Sequence, residues 1–302
     1  MISKFLVGIL CLCSLSFSYD FSSDKTDTFG SIRILDVKTL DFDTLNEIEF
    51  KGISALAYDE KRGLFALSDF GYLYRLNLNI KNEKIKEIVL KEAYVLSSKK
   101  GKKLKKKKRD AEGMQFSEDG LIISFERHPK ISLFNFKGRK IKNFDLPKKL
   151  QDIKHYQKKN RALEALVVHP KFGLITAPEA PLKNQDKKVH TLYSKTKTWK
   201  FKASYKITAL ELLPDNNLLV LERKFSYLQG YKISLKKVNI MQCKKEFCLT
   251  ETLAVFKSKD GFNLDNFEGL THIKDNLYLM ISDDNDNPFQ ETLLVLFELV
   301  VL

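Results

Sequence analysis

Acidic side chains recur in this 302-residue chain at a fixed distance from one another, and its chemistry is best sought there. Asp110-Ala111-Glu112-Gly113-Met114 opens a run that turns at Glu118-Asp119-Gly120 and closes on Glu126-Arg127. Asn160-Arg161-Ala162-Leu163-Glu164 opens a second, which turns at Pro170-Lys171-Phe172-Gly173 and closes near Glu179. Asn266-Phe267-Glu268-Gly269-Leu270 leads to Ser282-Asp283-Asp284-Asn285, and weaker copies run from Ser54 to Asp69 and from Thr208 to Glu222-Arg223. In all five, the opening residue and the closing acid stand 14 or 15 positions apart. Carboxylates gathered in this way raise one another's pKa unless protons, cations or basic side chains offset them. Arg127 and Arg223, each directly after a closing glutamate, are the natural basic partners. Oxygen-rich clusters also suit a hard divalent cation, Ca2+ or Mg2+, with Asn266 and Asn285 filling out the shell. The dense run Asp283-Asp284-Asn285-Asp286-Asn287 departs from EF-hand spacing, since its acids are adjacent and no glycine sits mid-loop. The plainer use of such acids is to cap backbone amides or pair with arginine.

A motif repeated five times must be positioned by a repeated element. Between the acids lie short strands rich in apolar and aromatic residues, separated by turn residues and grouped in fours. The first group is 53–58, 64–68, 72–78 and 85–90. Sets of four at intervals of roughly 45 to 60 residues predict a β-propeller, whose blades pack radially and leave few edges. The fifth set, from Glu268 to Leu299, has only three strands, so a strand near Ser31–Val37 is expected to complete it and close the ring from both ends of the chain. The expectation is about six blades, within a range of five to seven, with a sixth drawn from 20–50 or 224–262. Asp145–Lys159 is the one helical candidate, a short connector. In this architecture the residue opening the innermost strand and the residue closing the second lie at the same end of the channel. Asp69, Glu112, Glu126, Glu164, Glu179, Glu222, Glu268 and Asp283 are therefore expected to converge on one mouth.

Met1-Ile2-Ser3-Lys4, the apolar run 5–15 and Ser16-Phe17-Ser18 form a basic start, a short apolar core and a small-residue ending, which reads as a secretory signal peptide ending near Ser18. The expected product is one domain over 19–302, periplasmic or secreted. Cys243 and Cys248 are spaced for a small disulfide loop in an oxidising compartment, in preference to free thiols or a zinc site. The formal net charge of +14 is concentrated in a lysine-rich insertion at 97–109, where Lys99–Arg109 holds nine basic residues. Such blocks are usually solvated surface; the functional alternative is an electrostatic contact with an anionic envelope surface. Nucleic acid is not an expected partner, because no nucleic-acid-binding signature accompanies the lysines. Neither a Gly-x-Ser-x-Gly elbow, a His-Glu-x-x-His pair nor a glycine-rich phosphate loop is present.

Taken in order, Asp110-Ala111-Glu112-Gly113, Asn160 to Leu166, Leu221-Glu222-Arg223, Asn266-Phe267-Glu268-Gly269 and Ser282-Asp283-Asp284-Asn285 resemble the phytase-like family described by its esterase-like activity of phytase. Ala162 and Ala165 replace glycines of that pattern, and Asp286 replaces an aromatic residue. The resemblance implies a propeller acting on ester or phosphomonoester bonds of a small molecule. It implies Glu112, Glu164 and Glu268 as catalytic candidates, and Glu126, Arg127, Glu179, Glu222 and Arg223 as substrate-binding candidates. Asp69, Asp283, Asp284 and Asn285 are the candidates for a divalent metal, Ca2+ first. A monomer is expected. The alternative function is a non-catalytic propeller of the cell envelope that binds a ligand or partner at its mouth.

Overall fold

The computed structural model describes residues 28–105 and 108–300. The expected signal peptide at 1–18 lies outside the described residues, as do Lys106 and Lys107 of the lysine-rich insertion. Among the described residues, no helix is long and apolar enough to cross a membrane.

Five antiparallel sheets are arranged around one axis. Blade one is β3 (Ile53–Asp59), β4 (Gly63–Ser68), β5 (Tyr72–Lys81) and β6 (Lys84–Val95). Blade two is β7 (Ala111–Ser117), β8 (Gly120–Phe125), β9 (Lys130–Phe134) and β10 (Lys140–Phe144). Blade three comprises β11 (Leu163–His169), β12 (Gly173–Pro178), β13 (Val189–Tyr193) and β14 (Thr198–Lys202). Blade four comprises β15 (Lys206–Leu212), β16 (Leu218–Ser226), β17 (Gly230–Val238) and β18 (Thr250–Lys257). Blade five is built from both ends of the described chain: β19 (Asn266–Lys274), β20 (Leu277–Asp283) and β21 (Leu293–Leu299) are continued outward by β2 (Ile32–Thr39) and β1 (Thr28–Phe29). β2 pairs antiparallel with β21 from Ile32↔Leu299 to Thr39↔Leu293, and this closes the ring.

The expectation of about six blades is corrected to five. Both stretches that could have held a sixth are consumed by existing blades. Residues 28–39 finish blade five, and 224–262 supply the long β16–β17 hairpin and β18 of blade four.

Burial explains why these runs become strands. The second strand of a blade has both faces covered, so its apolar residues alternate between two neighbours. Along β20, Tyr278 and Met280 pack toward blade four, while Leu279 and Ile281 pack toward blade one. Along β4, Leu64 and Ala66 face blade five, while Phe65 and Leu67 face blade two. Every pair of adjacent blades thus shares one apolar cluster, and the molecule has five radial cores in place of a central one.

The helical connector forms as a single turn, α1 (Lys148–Gln151), followed by a 3-10 turn. Cys243 and Cys248 form the expected disulfide. Their loop lies on blade three, where Lys200 N–H donates to the Glu246 carbonyl at 2.7 Å and Cys248 N–H to the Lys200 carbonyl at 2.8 Å. The described part of the lysine-rich insertion is anchored: Leu104 packs on the cluster between blades one and two, and its N–H donates to the Leu96 carbonyl at 3.0 Å.

Candidate functional site at the acidic mouth

The innermost strands β3, β7, β11, β15 and β19 share one irregularity. Their pairing with the second strand shifts between Ile53 and Ala55, Ala111 and Met114, Leu163 and Ala165, Ile207 and Ala209, and Phe267 and Gly269. A bulge leaves a residue outside the ladder and re-aims its side chain. The bulged residues are Ser54, Glu112, Glu164, Thr208 and Glu268. Ser54 and Thr208 use their hydroxyls as ties to the next blade, donating to the carbonyls of Ala111 at 2.7 Å and Phe267 at 3.2 Å. The glutamates converge instead. Glu112, Glu164 and Glu268 each offer a carboxylate oxygen, and these oxygens lie within 4.8 Å of one another.

The next position in each strand is small: Ala55, Gly113, Ala165, Ala209 and Gly269. These residues close the axis beneath the glutamates, leaving a void of about 10 Å³. A Cβ on Gly113 would stand 2.6 Å from the Glu164 carbonyl oxygen, and one on Gly269 would stand 2.6 Å from the Ile281 side chain. The mouth is accordingly a blind cup.

A second tier comes from the ends of the second strands. Asp69, Glu126, Glu179, Arg223 and Asp283 occupy equivalent places, and Asp110 joins them: Asp110, Glu112 and Glu126 also bring oxygens within 4.8 Å. Arg223 reaches Glu268 at 3.1 Å and Glu179 at 3.6 Å, Lys206 reaches Glu179 at 2.7 Å, and Arg127 reaches Asp110 at 2.6 Å. Burial pushes Glu126 up to about 8, with Asp110 and Glu179 adding to it. Burial likewise lifts Asp69 to about 7, helped by Asp283 and Asp110, and Glu268 to about 7 against the pull of Arg223. Glu112, Glu164 and Asp283 are raised well above the ordinary carboxylate range, first by burial and then by neighbouring carboxylates. Asn266, 1% exposed, donates its amide to Glu268 at 2.9 Å, while its own Oδ1 has no hydrogen-bond partner among the described residues.

Two expected members, Glu222 and Asp284, stand elsewhere. Glu222 does not reach the mouth. It pairs with Ile207 across the β15–β16 hairpin, the register that Ser68, Pro178 and Ser282 occupy opposite Ile53, Leu163 and Phe267. Its side chain is therefore turned into blade four, fully buried, with Lys236 at 3.0 Å and His190 at 3.8 Å. A shift of one residue moves a side chain to the other face. Arg223 takes the mouth position in its place. Asp284 is occupied in holding its loop, where it accepts from Gly52 N–H at 3.1 Å, Asp286 N–H at 2.9 Å and the Thr292 hydroxyl at 3.1 Å. Asn285, with φ 53, braces the same loop through Asp283 and Gln290, while its Oδ1 stays at the mouth and accepts from the Asn266 amide at 3.3 Å. Of the expected metal set, the acids Asp69, Asp283 and Asp284 do not form a carboxylate cluster, because the Asp284 oxygens are spent on the turn.

Asp110, Arg161 and Lys206 are residues of the candidate site that acid spacing alone missed. Asp110 had a signal, since it stands two residues before Glu112 in a run where bulging would bring both to one side. Lys206 and Arg161 carried none. Together with Arg223 they face a groove of about 630 Å³ between blades three and four, which Lys187 and Lys188 also line. A second groove of about 720 Å³ beside blade two holds Arg127, His128, Lys148 and Lys159. An acidic centre flanked by basic grooves can gather a cation and an anion side by side.

A search of curated proteins finds no match. Among solved structures, the chain is similar to a luciferin-regenerating enzyme at 10% identity over 82% of this chain and 92% of that one, with a TM-score of 0.43. It is similar to a PQQ-bound aldose sugar dehydrogenase from Streptomyces coelicolor at 9% identity, over 91% and 99% of the two chains, with a TM-score of 0.46. A structure titled as a putative gluconolactonase aligns at 10% identity over 88% and 91%, with a TM-score of 0.38. Compared with protein families, residues 48–286 match the one described as phytase-like, esterase-like activity of phytase. That span runs from the approach to blade one through the loop after Asp283, and so takes in both tiers of the mouth: the chain belongs to the phytase-like family.

Proposed function

We propose that this protein is an exported hydrolase of ester or phosphomonoester bonds, acting on a small molecule at the acidic mouth with a bound divalent cation, Ca2+ foremost. The observation that carries this reading is the double cluster centred on Glu112, whose oxygens meet those of Glu164 and Glu268 on one side and of Asp110 and Glu126 on the other. The cluster fits a hard cation: all its donors are carboxylate oxygens, the pKa values of Glu112 and Glu164 are raised first by burial and then by neighbouring carboxylates, and the buried Asn266 Oδ1 beside them lacks a donor. Glu112, Glu164 and Glu268 would hold the ion, with Asp110 and Glu126 beyond them. Bound there, it would supply Lewis-acid polarisation of the substrate oxygen and a more acidic water.

The protein's own groups divide the remaining work. Arg223, Lys206 and Arg161 bind the anionic part of the substrate in the groove beside the mouth. Glu126, outside the set that would hold the ion, can pass a proton to the departing oxygen as a general acid. Water is the nucleophile. Export is supported by the leader-like segment 1–18 and by the disulfide between Cys243 and Cys248. The protein works as a monomer, and the lysine-rich insertion contacts an anionic envelope surface.

The test is hydrolysis of an aryl phosphate and an aryl acetate by the purified chain, with Ca2+ and with a chelator. Turnover removed by the chelator and restored by Ca2+ is expected. Ion binding without turnover would instead make the mouth a ligand-binding site of a non-catalytic envelope propeller.

A further inference from the structure

The hairpin of blade four outgrows its blade. Arg223 marks the level of the mouth, but β16 and β17 remain paired through Lys224↔Lys232 and Phe225↔Tyr231 to Ser226↔Gly230. Three further residues per strand lift the apex about 10 Å above the mouth. Tyr227 and Leu228 at that apex are 97% and 98% exposed. The arm is braced: the Phe225 ring packs against Tyr227 at 5.4 Å and Tyr231 at 4.8 Å. The Tyr231 hydroxyl accepts from Gln290 at 2.9 Å, which joins the arm to the loop of blade five. That loop presents Phe289, 93% exposed, with its N–H held by the Asn287 side chain at 3.1 Å. Single exposed apolar residues are ordinary on a protein surface. Here three large ones are presented by two linked loops on the mouth side of the molecule.

Below the apex lies a row of like charge. Lys224 is the register partner of Lys232, and Lys232 of Lys257, across three adjacent strands. Like charges directly opposite one another destabilise a sheet. Lys257 has Asp260 at 3.4 Å, but neither Lys224 nor Lys232 has an acidic partner among the described residues. Burial does not account for this row, whereas an external layer of negative charge would.

We propose that this arm docks the mouth side of the protein on an anionic lipid surface. Tyr227, Leu228 and Phe289 enter the boundary between headgroups and acyl chains, and the Lys224–Lys232–Lys257 row lies among the lipid phosphates. Amphipathic segments bind membranes by the same division, with apolar side chains sunk about 5–10 Å and basic side chains at the anionic headgroups. Tyrosine suits that depth because its ring is apolar and its hydroxyl is polar. Docked in this way, the cup opens toward the membrane surface.

The experiment is co-sedimentation of the purified chain with phosphatidylcholine vesicles, with and without phosphatidylglycerol, at low and high salt. Binding to the anionic vesicles only is expected, and Y227S/L228S/F289S should weaken it at least about tenfold. These side chains contact little of the fold, and an unchanged thermal midpoint verifies that the variant is folded. As a second readout, Tyr227→Trp should show a blue-shifted emission on anionic vesicles, against the constant background of the single native tryptophan, the fully buried Trp199. Absence of binding to anionic vesicles overturns the proposal. So does salt-sensitive binding that the triple variant leaves unchanged, which would assign the contact to the lysine-rich insertion. Capture by a soluble protein with no vesicle binding would make the arm a protein-docking site and equally overturn it.

Discussion

Glu112 in blade two and Glu222 in blade four are both buried glutamates near the same end of their blades, yet they sit in opposite electrostatic surroundings. Glu222 is sealed with its own cation: Lys236 stands at 3.0 Å and also donates to the Ser204 hydroxyl at 2.9 Å, while Ser204 N–H donates to Glu222 at 3.1 Å. Glu112 has no cation within ion-pairing distance among the described residues, and its neighbours are Glu164, Glu126, Glu268 and Asp110. A paired buried charge is complete within the fold. One surrounded by its own kind needs protons or an external cation, so only the second kind of site is built to receive something.

That contrast can be broken most severely at Lys236. Lys236→Met leaves Glu222 buried without its counter-charge and should cost about 3–5 kcal/mol in urea denaturation; a loss within about 1 kcal/mol would mean that Glu222 is not held as an ion. Glu112→Gln is its counterpart. In the proposed hydrolase it should lower turnover by about 100-fold, an effect of roughly 2.7 kcal/mol. In chelated protein it should leave the thermal midpoint unchanged or higher, because it removes a group that burial and neighbouring carboxylates hold away from its charged form. A drop in midpoint matching that of Glu222→Gln would erase the distinction. Beneath the cup, Gly113→Ala forces a Cβ toward the Glu164 carbonyl and should cost about 1–3 kcal/mol by overpacking.

The pH dependence of stability is the most diagnostic reading of the acidic side of the comparison. The folded-state pKa values of Asp69, Glu126 and Glu268 are raised to about 7, 8 and 7 from ordinary values of 3.8, 4.5 and 4.5. Between those limits the folded protein binds more protons than the unfolded chain, so stability falls as pH rises. The thermal midpoint in chelator should decline from about pH 5 to about pH 8, and Ca2+ should restore most of it at the upper end. A midpoint independent of pH across this window would contradict the crowding.

Much of this architecture was legible because it repeats. The spacing of the acids reports hairpin length, and hairpin length is constant when every blade must reach the same axis. Closure by an N-terminal strand was legible for a related reason, since three strands at the end of the chain leave an edge that Ile32–Thr39 can cover. Blade number was not, because the length of a hairpin such as that of β16 and β17 depends on what lies beyond the blade. Glu222 was misplaced because a count of 14 reaches the mouth only in blade two, where Ser117 pairs with Gly120 across a shorter turn. In blade four, as in blades one, three and five, the mouth position is the fifteenth residue, which is Arg223. Asp284 was misplaced for a different reason, since an aspartate that ligates and one that caps a turn look alike until the turn's N–H groups are seen.

The way the ring is closed also ties the mouth to both ends of the described chain. Glu268 and Asp283 belong to the blade whose outer strands come from residues 28–39 and whose inner strands come from 266–299. Glu112 and Glu164 meet Glu268 only where that blade stands against its neighbours. A cation held by the three glutamates would therefore favour the closed ring over the open one.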